Sequence, residues 1–137
     1  MTASAPQRRE MVPLLEIWVP GAVESANALW RRHPMQRHKR VKAVVTQVGQ
    51  IAKAHALVKQ ITLTPPVAVA FCMVRRRLFD EGDDLAFSLK AHRDGLMRAL
   101  LPTSHDGVGS GNTYTYRQRL AKQQPEGVEI TITPVTP

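Results

Sequence analysis

The sequence predicts a small α+β domain in the order β-α-β-α-β-β, a mixed sheet with two helices packed on it. Three observations carry that expectation. The nearly continuous apolar run VAVAFCMV at 67–74 suits a strand covered on both faces. Two longer stretches, 37–59 and 84–100, repeat apolar residues at helical spacing. Two stretches near the carboxyl end, 113–119 and 128–133, alternate as half-buried strands do. A chain of 137 residues suits one core rather than two.

Taken in order, residues 1–12 are expected to be a flexible tail before a single domain at 13–137. Segment 13–19 (PLLEIWV) reads as the first strand, and Pro20-Gly21 ends it. A loop over 20–36 holds Ser25, Asn27, Trp30, Arg31, Arg32 and His33. The first helix, 37–59, places Val41, Val44, Val45, Val48, Ile51, Ala52 and His55 on one face. Its first turn is basic, with Arg37, His38, Lys39, Arg40 and Lys42. Positive charge at a helix start opposes the macrodipole, so an external anion such as phosphate is the simplest reason for it. Pro65-Pro66 breaks the chain before the apolar strand. The second helix, 84–100, buries Leu85, Leu89, His92, Leu96 and Leu100. A Gly/Ser-rich loop spans 101–112, and a turn at 123–127 is expected to join the last two strands as a hairpin.

Charge narrows the function classes. Net charge is +8, and the stretch from Ser25 to Phe79 has eleven Lys and Arg with no Asp or Glu. Such a block points to a nucleic acid or another anionic surface. No apolar run is long enough to span a bilayer, and no apolar segment of signal-peptide type follows Met1. The single cysteine, Cys72, excludes an intrachain disulfide and a cysteine-based zinc site, and a reducing cytoplasm is the expected compartment. The glycines at 107–111 lack a Walker lysine, so no nucleotide cofactor is expected.

Against this background Asp80, Glu81, Asp83 and Asp84 fall within five positions, directly after Arg75, Arg76 and Arg77. Helix capping accounts for one or two acids at such a junction, but not for four. Four like charges together need a neutralising partner, which is either Arg75 to Arg77 alone or a divalent metal held against a polyanion. Asp83, Phe87, Lys90 and Asp94 share one helical stripe, off the apolar one. On it Lys90 either pairs with Asp94 or faces the acidic site. Asp106, after His105, is either a turn residue or a further carboxylate.

The stretch VRRRLFDEGDDLAFSLKAHRDGLMRALLPTSHDG at 74–107 resembles the core of the RusA-type Holliday-junction resolvases, common in phages and prophages. That family has a strand ending in arginines and an acidic D-x-D-N-L or D-x-x-D-N-L segment. A helix with a Lys and an Asp-Gly-Leu or Asp-Ala-Leu end follows, then a loop with Asp-Asp. Counterparts here are Asp80 to Leu85, Lys90, Asp94-Gly95-Leu96 and His105-Asp106. Ser25-Ala26-Asn27 and the basic segment from Arg31 to Lys42 are similar to the family's amino-terminal part. The resemblance covers about residues 14–133.

It implies a homodimer that binds four-way DNA junctions and nicks two opposed strands with Mg²⁺, or Mn²⁺, held by carboxylates. By the same resemblance the ligands are Asp80, Asp83 and Asp106, with Glu81 or Asp84 as helpers, and Glu81 rivals Asp80 for first place. Lys90 would support phosphoryl charge. Arg31, Arg32, Arg37, Lys39, Arg40, Arg75, Arg76 and Arg77 would hold backbone phosphates. Two departures stand out: Asp84 replaces the family's Asn, and His105 replaces the first loop acid. They leave open a degenerate relative that binds DNA without cutting it.

Overall fold

The structure is a computed structural model that describes residues 12–79, 84–101 and 111–135. Of the tail expected over 1–12, all but Val12 lies outside the described residues. The elements are β1 (Leu15–Pro20), α1 (Ala26–Trp30), α2 (Pro34–Lys59), β2 (Val67–Arg75), α3 (Leu85–Ser88), α4 (Lys90–Leu100), β3 (Thr113–Leu120) and β4 (Gly127–Pro134).

The four strands form one mixed sheet in the order β1-β4-β2-β3. β4 is antiparallel to both β1 and β2, whereas β3 is parallel to β2. This is the expected α+β class. The register aligns Ile17, Ile130, Phe71 and Tyr116 across the whole sheet. Their side chains face the helices, and the Phe71 and Tyr116 rings stack at 5.4 Å. Leu15, Val69, Met73, Val128 and Ile132 join them in a core closed by Val48, Ala52, Leu89 and Leu96 from the helices. Alternation puts Glu16, Trp18, Thr113, Thr115 and Arg117 on the opposite face, where all are exposed.

The hairpin expected between the last two strands is not formed. A parallel β2–β3 pair needs a crossover, which α3 and α4 supply. The chain then returns across the end of β2 and inserts β4 on its far side. The connection is stitched down on the way. Ala121 N–H donates to Arg75 O at 2.8 Å, Arg76 N–H to the Glu126 carboxylate at 3.1 Å, and Gly21 N–H to Glu126 O at 3.0 Å.

The helices differ in detail from the sequence expectation. The expected loop contains α1, capped by Ser25 Oγ, which accepts from Ala28 N–H at 3.1 Å. α2 begins at Pro34, a residue suited to a first helical position, and ends on Gln60 in left-handed geometry (φ 55°). The second helix is split at Leu89 (φ −98°, ψ 6°) into α3 and α4. α2 and α4 pack closely because Gly95 has no side chain: a Cβ there would lie 2.6 Å from Val45 O. His92 and Cys72 are both buried.

Candidate functional site

Three segments meet at the carboxyl end of β2: the turn from β1 into α1, the residues after Arg75, and α3 with the start of α4. Arg75 ties the first two together. Its guanidinium donates to Val23 O and, at 2.9 Å, to Arg77 O, and it stacks over the Phe79 ring at 4.0 Å. Gln118 on β3 grips the Phe79 backbone in both directions, at 2.9 and 3.3 Å. Ser88 joins the third segment, since its Oγ accepts from Ala26 N–H at 3.0 Å and donates to Asp84 O at 2.8 Å.

The acidic run therefore starts after an anchored Phe79 and ends at an anchored Asp84. Asp80, Glu81 and Asp83 themselves lie outside the described residues, as do His105 and Asp106. Asp84 is the N-cap of α3, with Oδ1 accepting from Phe87 N–H at 3.1 Å. Capping thus explains Asp84, as the sequence allowed for one of the four. Among the described residues no three His, Cys, Asp or Glu side chains gather as a metal site. Leu101 and Gly111, which bracket the loop with Asp106, belong to the other end of the sheet. There Asn112 Oδ1 accepts from Val67 N–H at 2.9 Å, and the last turn of α4 faces Ile61 and Leu63.

Phe87, Lys90 and Asp94 share a face as expected, despite the break at Leu89. All three line a groove of about 410 Å³ with Leu29, Trp30, Arg37 and His38. Lys90 is exposed and forms no ion pair with Asp94 among the described residues. Trp30 and Phe87 stack at 6.5 Å with 28° between their planes, and the Arg37 guanidinium sits 4.3 Å from the Trp30 ring centre.

Some of the basic residues are tied to partners among the described residues, and others stand exposed. Glu24 receives Arg32 at 2.5 Å and Arg40 at 3.3 Å. Arg75 is held as described above. Arg31, Lys39, Arg76 and Arg77 are exposed. Sequence reasoning missed Glu24 as the anchor of two arginines and Gln118 as the clamp on Phe79. Glu24 had a signal, being the last acid before the acid-free stretch. Gln118 had none, because its partner is 39 positions away.

Burial lowers the His92 imidazole to about 4, and its Nδ1 has no hydrogen-bond partner among the described residues. It is a neutral core residue at pH 7, in keeping with its place on the apolar stripe. No described helix is long and apolar enough to cross a membrane.

These features define a class: a small α+β domain whose sheet end is basic, aromatic-lined and interrupted by an acidic run. In comparisons with known proteins the chain matches no family model and no curated sequence.

Proposed function

We propose that this protein is a Mg²⁺-dependent endonuclease of RusA type, a homodimer that binds four-way DNA junctions and resolves them by paired symmetric nicks. The observation that carries the reading is the setting of the acidic run. Asp80 to Asp84 lie between a strand end bearing Arg76 and Arg77 and a helix bearing Lys90, next to the acid-free basic stretch. Four carboxylates in that surrounding are hard oxygen donors suited to Mg²⁺ or Mn²⁺. Asp80 and Asp83 would hold the ion, Asp106 would join them only if its loop, which starts and ends at the other end of the sheet, reached across, and Asp84 keeps one oxygen beyond its cap for a supporting contact.

The ion would supply an activated water and neutralise charge on the attacked phosphate. Lys90 adds positive charge to the phosphoryl oxygens as they become more negative. Arg31, Lys39, Arg76 and Arg77 hold backbone phosphates, which positions the duplex arms without reading bases. Arg32 and Arg40 shape that surface through Glu24, and Arg75 acts chiefly as a brace.

Asp84 favours a second reading. Where the resembled family has Asn, this chain has a carboxylate engaged in a helix cap, which suits a relative that binds junctions but does not cut them. Incubating a labelled four-way junction with the protein in Mg²⁺, in Mn²⁺ and in EDTA separates the two. Paired symmetric nicks that vanish in EDTA support the nuclease. Tight binding with no nicks in either metal supports the binding protein, and no preference for branched DNA sinks both.

A further inference from the structure

We infer that the groove between α1, the start of α2 and α3–α4 receives one unpaired nucleobase of the DNA, stacked against Trp30 and Phe87. The inference rests on the DNA-binding reading above and adds to it a site for a base rather than a phosphate.

Trp30 is 60% exposed and Phe87 43% exposed, although a well-formed core lies directly beneath them. The two rings come from different segments and are brought to 6.5 Å, nearly parallel, so the fold assembles an aromatic platform at the surface. Charge selects the occupant. Arg37 stacks on Trp30, and Lys90 lines the same groove. Among the described residues the one acid on the lining is Asp94, and the nearby Glu24 is taken up by Arg32 and Arg40. An aromatic platform flanked by cations suits a flat, electron-rich ring attached to a phosphate. Bases inside a continuous duplex are stacked and out of reach, so the groove favours DNA in which a base is already loose, at a branch point or in a single strand.

The test uses a Trp18→Phe background, which leaves Trp30 as the one remaining tryptophan of two. In EDTA, the full chain is titrated with a thymidine oligomer of about 12 nucleotides, an abasic oligomer of equal length, a duplex and a four-way junction. The thymidine oligomer is expected to quench Trp30 emission and the abasic oligomer to leave it unchanged. Trp30→Ala and Phe87→Ala are expected to weaken oligomer and junction binding roughly tenfold or more, with duplex affinity within about twofold. Trp30→Phe should restore most of the loss.

Equal quenching by the abasic oligomer, or equal losses on duplex, would overturn the inference. So would a change of sedimentation mass in Trp30→Ala, which would make the groove a contact between copies. Junction binding that persists unchanged in both alanine variants removes the base site alone. A wild-type protein that binds none of the DNA probes removes the DNA reading along with it.

Discussion

At the amino end of β2 the polar groups turn inward. Asn112 accepts from Val67 N–H, Val135 N–H donates to Pro66 O, and Leu63 closes the core beneath. At the carboxyl end the same needs are met by Arg75, Gln118 and Glu126. That end nevertheless also carries Arg31, Arg76, Arg77 and Lys90, all exposed. One end has the polar groups that closing a sheet requires, and the other adds exposed cations on either side of the acidic run at 80–84. The hydrogen bonds that close the sheet do not use those four exposed side chains among the described residues. On the proposed reading, the difference marks the end at which this domain would meet DNA.

The largest expected effect strikes at the carboxyl end. Asp83→Asn should lower metal-dependent junction cleavage on the order of 10³-fold with junction affinity held within about twofold. Loss of binding together with cleavage would show the acid to be structural. Next comes a property of the core between the ends. His92 titrates near 6.5 when unfolded and about 4 when folded. Its contribution is complete above about 6.5 and is lost as pH falls toward 4, by at most about 3 kcal/mol. Denaturant titrations at stepped pH should show that slope flattened in His92→Leu; an unchanged slope would assign it to the carboxylates.

Lys90→Ala should lower cleavage roughly 10²-fold while the melting temperature stays put. Asn112→Ala should do the reverse. It leaves Val67 N–H unpaired, costing about 1–3 kcal/mol in chemical unfolding, with junction binding by the remaining folded protein unchanged. If Asn112→Ala weakened junction binding of folded protein, the contrast between the ends would break. Smallest is Arg77→Ala, expected to reduce the salt slope of binding by about 1 with no change in selectivity between junctions.

Much of the fold was legible because each element announces itself locally. The apolar run at 67–74 is β2, and the valine spacing from Val41 to Ala52 is the buried side of α2. Strand order was not legible. Thr113 to Arg119 and the closing strand are separated by turn residues and look like neighbours, yet a parallel partner and three hydrogen bonds at Ala121 and Glu126 send β4 past β2. The site was legible in part. Phe87, Lys90 and Asp94 share a face because α4 nearly continues the turn begun by α3. Which arginines are tied was hidden, since Glu24 and Val23 O reach partners far along the chain.

Gly95 stands outside the groove yet sets its calibre. α2 and α4 touch there backbone to backbone, five residues along from Lys90 and one helix across from Arg37. They work like the two arms of a calliper pinned at that point. A methyl group added at the pin would open the jaws before it touched anything between them, so the spacing of the two cations is governed by a residue that carries no charge.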